Sequence, residues 1–365
     1  MINWDEGLYL DQDDQIETHF RKKEALFIMG QGFDPRSCAA IRKLAPVFKK
    51  LDLLLIDYND RAMQSDRKIE EQSRDNKEEL DRICKEFDIT TRLLSIPQYE
   101  GSDTNRQLVF GTRVRKSIQS DDLSQYPEIV VDITAMPRAV AFNLIKRISD
   151  IKTNTQKLSV LVCENSDCDE KIQPNIRKES ARYLTGFNTF MMSSEAAQND
   201  TIWLPMLGSG EKDSFGMIVD FLKPIEICPI VPFPSSDVRR GERILRSYGV
   251  ELFRDRGIEA RNIIYVPEQY PLHISQKLYD TVKYYEKALE NKKEDSENIY
   301  HYAFSSQSSK LMDIGLFLAV MRLLQESVIA GIVVVENQGY QFEEKYAESK
   351  NKLYCLCLDE NEFGW

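Results

Sequence analysis

The sequence predicts an α/β protein that consists of two parallel-sheet units in tandem. Apolar runs without polar alternation are separated by helical segments, which is typical of a parallel sheet covered by helices on both faces. The same pattern begins again near residue 201, after a polar stretch over 166–200. A chain of 365 residues also suits two domains. We therefore expect a first unit over residues 1–180 and a second over 181–365, which ends in a short C-terminal tail.

The first half alternates apolar strands with helical segments. Residues 24–30 form an apolar run that ends in glycine, and a loop and a helix follow. The further strands are predicted at 52–60, 89–97, 128–133 and 157–165, and the further helices at 61–87, 106–119 and 139–151. The helix over 61–87 is strongly charged and is interpreted as a solvated face. This order of elements is Rossmann-like.

The second half repeats this pattern. Residues 201–237 give strand, glycine turn, helix and strand, and residues 300–324 and 330–338 mirror the closing elements of the first half. The aligned pairs are Gly30 with Gly208, Gly32 with Gly210, Arg138 with Lys310, and Glu164 with Glu336. The last two pairs share one sequence offset. We expect an internal duplication that forms a pseudo-dimer.

Composition excludes several classes of protein. The formal charge of -11 argues against a protein that coats nucleic acid. Seven cysteines without framework spacing are typical of reduced thiols, and three histidines without a paired CxxC do not indicate a zinc site. The N-terminus is acidic where a signal peptide is basic, and no apolar run is long enough to span a bilayer. We expect a cytoplasmic protein that binds neither bulk nucleic acid nor membrane.

The loop "MGQGFDPRS" is the first candidate site. Gly30 and Gly32 permit close approach of the backbone, and Asp34 and Arg36 precede a helix. An arginine at this place is a good partner for phosphate. The loop is neither a complete dinucleotide fingerprint nor a P-loop, so no dinucleotide cofactor is indicated. The alternative is a tight turn in which Arg36 pairs with Asp34 or Asp57.

The turn "DITAMPR" is the second candidate. Thr134 is placed to cap the helix or bind a ligand, and Arg138 begins a helix whose dipole favours an anion. Asp132 alternatively satisfies buried backbone amides or Arg36. These residues predict an anion-binding turn or, on the second interpretation, the end of a strand.

The segment "SSQSSKLMDIG" gives the second half a hydroxyl-rich turn with a basic residue. Ser306, Ser309 and Lys310 are its candidate ligand-binding residues. Glu164 and Glu336 each follow a hydrophobic strand, where they accept ribose or base hydrogen bonds or simply end a strand in water. His301 is interpreted as a packed or surface histidine and not as a catalytic one. No catalytic motif of a conventional hydrolase is present.

At these turns the sequence resembles the CARF family, the CRISPR-associated Rossmann folds that sense cyclic oligonucleotides, and the SAVED domains. Residues 135–138 replace the glycines and lysine of the family's "DITGGTK" turn with Ala, Met, Pro and Arg. The resemblance implies a pseudo-dimeric sensor of prokaryotic defence that binds a nucleotide signal between its halves. Because no effector segment is evident in the sequence, we expect the effector to be a separate chain.

Three hypotheses follow. The first is a non-enzymatic sensor or adaptor that binds a nucleotide-like small molecule. The second is an enzyme acting on a nucleotide or phosphorylated molecule, with Asp34 as base or metal ligand and Arg36 and Arg138 stabilising negative charge. The third is a structural partner protein without a ligand. The identity of any cofactor stays open.

Overall fold

The computed structural model describes residues 7–58, 67–101, 107–165, 168, 172–188, 200–209, 212–290, 300–342 and 350–358. The chain divides into two compact units. The first is formed by residues 1–175 together with 338–365, and the second by residues 176–337. The division near residue 175 lies close to the predicted boundary. The prediction that the C-terminal tail belongs to the second unit is wrong, because its strand pairs within the first sheet.

The first unit contains a seven-stranded sheet. Its strands are β1 (Leu8–Leu10), β2 (Glu24–Gly30), β3 (Lys50–Asp57), β4 (Thr90–Ser95), β7 (Glu128–Asp132), β8 (Lys157–Glu164) and β16 (Lys352–Cys357), while β5 (Tyr99–Glu100) and β6 (Gln107–Leu108) form a separate antiparallel pair. The order is β1-β16-β8-β7-β2-β3-β4. Strands β2, β3, β4, β7 and β8 are parallel, and β16 and β1 pair antiparallel beyond β8.

The described part of the first unit has six helices, of which those at Asp13–Phe20 and Ser120–Leu123 were not predicted. The six are α1 (Asp13–Phe20), α2 (Ala39–Leu44), α3 (Arg67–Glu86), α4 (Phe110–Ser117), α5 (Ser120–Leu123) and α6 (Arg138–Ile151). Helix α6 buries most of its apolar residues, whereas α3 buries only Ile69, Leu80 and Ile83. The interpretation of α3 as a largely solvated helix is confirmed.

A second sheet forms the core of the second unit. Its strands are β9 (Ile172–Asn188), β10 (Thr201–Met206), β11 (Glu226–Ile227), β12 (Ile230–Pro232), β13 (Ile264–Val266), β14 (His301–Ser306) and β15 (Ala330–Phe342). The order is β13-β12-β10-β14-β15-β9, and β11 also pairs with β10. Strand β9 occupies part of the stretch predicted as a polar connection, so that prediction is wrong over residues 172–188.

The second unit also follows its strands with helices. They are α7 (Lys212–Leu222), α8 (Arg240–Ser247), α9 (Pro271–Glu290) and α10 (Lys310–Gln325), with a π-helical turn at Val250–Arg254 and a 3-10 turn at Ala260–Asn262. Helix α10 is apolar on nearly all sides and is almost entirely buried. Trp203, Phe215 and Tyr248 form a chain of ring contacts with centroids 4.8 Å and 5.6 Å apart.

The two sheets share one order of five parallel strands. It is β4-β3-β2-β7-β8 in the first sheet and β13-β12-β10-β14-β15 in the second, so β2 and β10 are the central strands. This is the Rossmann-like order predicted from the sequence. The internal duplication stays a prediction, and the shared strand order is consistent with it.

Two further features concern the whole chain. Each of the seven cysteines occupies a described position, and none takes part in a disulfide. Within the described ranges, no helix combines the length and the apolar character needed to cross a bilayer.

Candidate functional site

Each sheet has one topological switch point, where strands are added on opposite sides of the central strand. It lies between β2 and β7 in the first unit and between β10 and β14 in the second. Ligands of open α/β sheets bind beyond the carboxyl ends of the strands at this point. The glycine loop after β2 and the turn after β7 therefore meet at one switch point, as do the loops after β10 and β14.

Gly30 and Gly32 make room for the protein's own side chains. A Cβ atom at Gly30 would lie 2.9 Å from both Met136 Cγ and Tyr58 Cε1, and one at Gly32 would lie 2.6 Å from Tyr58 Oη. Tyr58 Oη also donates a hydrogen bond to the carbonyl oxygen of Ala135 at 3.1 Å. The close approach that the glycines permit thus joins the loop to the turn. Tyr58 therefore lies against Gly30 and Gly32, where the sequence predicted the close approach of a ligand.

Arg36 and Asp34 form a buried ion pair. Arg36 Nε donates to Asp34 Oδ1 at 3.0 Å, and Nη2 donates to Oδ2 at 2.8 Å. The backbone amide of Arg36 also donates to Asp34 Oδ1 at 2.9 Å. The structure therefore adopts the alternative in which the loop is a tight turn closed by its own charges. The role of Arg36 on a ligand phosphate stays a prediction.

Helix α2 does not place Arg36 at its N-terminus. It begins at Ala39, its N-cap residue is Cys38, and no side chain caps it. Ser37 is therefore not the N-cap residue of this helix. Asn76 of α3 instead fixes the loop, because its Nδ2 donates to the carbonyl oxygens of Gly32 and Asp34, each at 2.9 Å.

Asp132 and Thr134 shape the second predicted turn. Thr134 donates to Asp132 Oδ1 through its backbone nitrogen at 2.9 Å and through its hydroxyl at 2.5 Å. The Thr134 hydroxyl also accepts a hydrogen bond from the backbone nitrogen of Cys163 at 2.9 Å. Both side chains are buried. Here the interpretation of Asp132 as a partner of backbone amides is confirmed, and Thr134 links the turn to β8.

Arg138 and Glu164 lie where the sequence placed them. Arg138 is the first residue of α6 and is half-buried, and Glu164 is the last residue of β8. Lys352 lies opposite Glu164 in the antiparallel register. Their roles toward a ligand stay predictions.

In the second unit, Gly208 is in backbone contact with the turn after β14. A Cβ atom at Gly208 would lie 1.6 Å from the carbonyl oxygen of Gln307, so no larger residue fits. Tyr248 Oη donates to Gln307 Oε1 at 2.8 Å. In both units, the glycine loop after the central strand therefore meets the turn after the neighbouring strand, β7 or β14.

The serines of this turn are engaged with nearby groups. Trp203 Nε1 donates to Ser305 Oγ at 3.0 Å, and the backbone nitrogen of Ser308 donates to Ser306 Oγ at 3.2 Å. Ser309 is the N-cap of α10 and accepts from the backbone nitrogen of Met312 at 3.4 Å. Lys310 is the first residue of α10, the place that Arg138 has in α6. Arg138 and Lys310 thus each begin the helix that follows the strand beside the central one, and their equivalence by duplication stays a prediction.

Three predicted positions need separate mention. Gly210 lies outside the described residues, and Glu336 lies in β15 with a side chain that is not described. His301 begins β14 and is buried. Burial lowers its pKa, although the nearby Asp200 opposes the shift, so the imidazole is predominantly neutral at pH 7. This agrees with the interpretation of a packed histidine.

The sequence analysis missed Tyr58, Asn76 and Glu268. Glu268 follows β13, is 6% exposed, and accepts from Arg240 Nη1 through Oε1. Its Oε2 atom is buried and accepts no hydrogen bond in the described part of the chain. Tyr58 and Glu268 each lie just beyond the carboxyl end of a strand, and this position is the signal that could have found them.

The thiols at the first switch point are not poised as nucleophiles. Burial raises the pKa of Cys38 to about 11 and raises that of Cys163 further, despite the opposing effect of Arg36 on Cys163. Over the described residues, no group of three or more His, Cys, Asp or Glu side chains is arranged to hold a metal ion.

No protein-family model matches the sequence, and no curated protein matches it significantly. Among solved structures, the mitomycin 7-O-methyltransferase MmcR is 12% identical with a TM-score of 0.22, and the alignment covers 42% of this chain and 36% of that one. The Bacillus subtilis tRNA methyltransferase TrmK is 9% identical with a TM-score of 0.23, covering 88% and 98%. The cytoplasmic domain of a prokaryotic cation chloride cotransporter is 13% identical with a TM-score of 0.22, covering 87% and 96%. At these TM-scores the similarities assign no function to the chain.

Proposed function

We propose that the chain is a non-catalytic sensor or adaptor that binds a nucleotide-like ligand at the switch point of its second unit. The phosphate end of the ligand lies at the turn Ser306–Lys310. The CARF and SAVED resemblance of the turns supports a role in prokaryotic defence with a separate effector chain.

The turn over residues 306–310 carries this proposal together with Glu268. The first unit has Arg138 at the start of α6, but Tyr58 lies against Gly30 and Gly32 of its glycine loop, and Arg36 is paired with Asp34. In the second unit, the corresponding turn has half-buried Ser306 and Lys310 at the start of a 16-residue helix. The positive end of the helix dipole and the lysine charge both favour an anion there.

Glu268 supports a ligand that is larger than phosphate. A buried carboxylate oxygen without a donor is uncommon, and a hydroxyl or amino group of a ligand would satisfy it. Strand β13 lies three strand spacings from β14, a separation of about 14 Å. A molecule that reaches both Lys310 and Glu268 therefore has the size of a nucleotide, with the sugar or base toward Glu268.

The enzymatic alternative has less support at the residue that it requires. Both carboxylate oxygens of Asp34 accept hydrogen bonds from Arg36, and the carboxylate is buried. A carboxylate in this ion pair is poorly placed to take a proton from a substrate or to bind a metal ion.

The test begins with native mass spectrometry of the protein purified from its own host, which identifies a co-purifying nucleotide by mass. Binding of that nucleotide and of inorganic phosphate is then measured by calorimetry. We expect Lys310→Ala to weaken both by tenfold or more, since a hydrogen bond to a charged group contributes about 1.5–3 kcal/mol. Glu268→Gln should weaken the binding of the nucleotide but leave the binding of inorganic phosphate unchanged.

Lys277→Ala is the matched control, because Lys277 is an exposed lysine within α9. It should leave binding unchanged. A nucleotide whose affinity is insensitive to Lys310→Ala but is lost in Arg138→Ala would move the site to the first unit and overturn the proposal. Turnover of the nucleotide that disappears in Asp34→Asn would favour the enzyme.

A further inference from the structure

Strand β16 holds two thiols side by side in the first unit. Cys355 and Cys357 alternate with Leu356 and therefore share one face of the strand. Their Sγ atoms lie 3.7 Å apart, and the two residues are 1% and 2% exposed. This sulfur–sulfur contact is independent of the nucleotide site proposed above.

A histidine and a lysine extend the thiol pair. Cys357 Sγ lies 3.4 Å from His19 Nε2, and Lys23 Nζ lies 3.3 Å from the same nitrogen. Lys23 also donates to Glu128 Oε1 at 2.8 Å. A chain of polar contacts therefore runs from the buried sulfur of Cys357 through the half-buried His19 and through Lys23 to Glu128 of β7.

The two thiols differ in acidity. The thiol of Cys355 and, next, His19 lower the pKa of Cys357, against the opposing effect of burial. Burial and the neighbouring Cys357 raise the pKa of Cys355. Cys357 is therefore the more acidic thiol of the pair and the one that attacks as a thiolate.

We propose that Cys355 and Cys357 are a reversible dithiol–disulfide site that a low-molecular-weight disulfide oxidises. Alternate residues of a strand have Cα atoms about 6.6–6.8 Å apart, which is at the upper end of the range that a disulfide spans. The sulfurs are already 3.7 Å apart. Because a disulfide also needs Cβ atoms about 3.5–4.5 Å apart, bond formation requires a local bend of β16 that brings the two Cβ atoms together.

The reaction proceeds in two exchanges. The Cys357 thiolate attacks one sulfur of the added disulfide, forms a mixed disulfide and releases one thiolate. Cys355 then attacks the Cys357 sulfur and displaces the second thiolate, which receives the Cys355 proton. The proton that Cys357 gives up when it becomes a thiolate passes through solvent to the first released thiolate. The protein thus loses two electrons and two protons, and the added disulfide becomes two thiols.

Access to the sulfurs requires opening of the segment that contains β1 and α1, because β1 pairs with β16 and His19 of α1 contacts Cys357 Sγ. Strand β1 covers β16 with only three residues, in the register Leu8 opposite Cys357 and Leu10 opposite Cys355. A three-residue edge strand is a segment in which local opening costs less than global unfolding. We therefore expect slow oxidation of the native protein through this opening.

The test uses the native full chain and oxidised glutathione. After exposure, the reaction is quenched with acid, the protein is unfolded, and the remaining thiols are alkylated and mapped by mass spectrometry. Two of the seven thiols should be protected, and the peptide that follows Lys352 should carry an internal disulfide. Dithiothreitol should restore both thiols.

The variants identify the attacking sulfur. Cys355→Ser should stop at a glutathione adduct on Cys357, whereas Cys357→Ser should leave Cys355 largely unmodified. Cys38→Ser, which removes another buried thiol of the same core, should still form the disulfide. Alkylation of all seven thiols in the exposed wild-type protein, or glutathione adducts at both cysteines without an internal bond, would overturn the proposal.

Discussion

At the residue scale, the first switch point is closed by polar groups that satisfy one another. Arg36 holds both oxygens of Asp34, and Asn76 holds the backbone of the same loop. Thr134 joins Asp132 to the amide of Cys163. Buried polar groups that form such networks fix a single backbone conformation, and removing one member leaves the others without partners.

Arg36→Ala should destabilise the first unit by about 3–5 kcal/mol, because it leaves the buried Asp34 carboxylate without its guanidinium partner. Urea-induced unfolding followed by circular dichroism measures the effect. The comparison is Arg42→Ala, whose arginine pairs with Glu79 but is 54% exposed, and about 0–1 kcal/mol is expected there. Equal losses in the two variants would contradict this account of the loop.

The sequence located these residues but not their partners. Asp34, Arg36 and Asp132 follow apolar strands, and that position is visible in the sequence. Arg36 pairs with Asp34, and Tyr58, which follows β3, lies against Gly30 and Gly32 after the neighbouring β2. Side-chain partners set by tertiary contacts are not readable from local spacing.

At the element scale, the loop after the central strand, β2 or β10, packs against the turn after its neighbour, β7 or β14, in both units. The contact is made by Tyr58 and Met136 over the glycines of the first unit and by backbone against backbone at Gly208 of the second. The geometry of each switch point therefore depends on the smallest residue of its loop.

Gly208→Ala should strongly lower the thermal stability of the second unit, because its Cβ atom would lie 1.6 Å from the carbonyl oxygen of Gln307. Gly216→Ala is the control within the next helix, since a Cβ atom there meets nothing within 4 Å. That change should stabilise the unit by up to about 1 kcal/mol through helix propensity. Thermal unfolding monitored by circular dichroism distinguishes the two, and tolerance of alanine at 208 would refute the close contact.

Most of the strands that the sequence predicted correctly are buried on both sides of the sheet, and the largely exposed β4, predicted at 89–97, is an exception. Strands β2, β7, β8, β10 and β14 read as continuous apolar runs, so their position and their parallel pairing were predictable. The segment 172–188 contains charged and polar residues and lacks such a run, and strand β9 was therefore missed. Hydrophobic pattern finds interior strands better than polar ones.

At the scale of the whole molecule, the first unit is discontinuous in sequence and the second is not. Residues 352–357 return to pair with β8 after the chain has completed the second sheet. No local sequence pattern predicts that β16 pairs in the first sheet, because its alternating residues are compatible with an edge of either sheet. The partition of the chain into two halves was therefore predictable, and the placement of its last strand was not.

A chain that stops at residue 349 should lose amide protection in β2, β7 and β8 but retain it in β10 and β14. Removing β16 leaves β1 without a partner and exposes the edge of β8. Hydrogen exchange with mass spectrometry measures protection in each strand. Loss confined to the second sheet would instead support the assignment of the tail to that unit.

The late return of β16 also constrains how the protein is made. During translation, strand β8 leaves the ribosome long before the strand that covers it has been synthesised. The second unit, by contrast, is contiguous and can fold as soon as it emerges. A nascent chain thus carries an uncovered, apolar β8 edge through the synthesis of nearly half its length. Chaperone binding to this edge would be needed most during that interval, and strand pairing between neighbouring chains on a polysome would be the characteristic error.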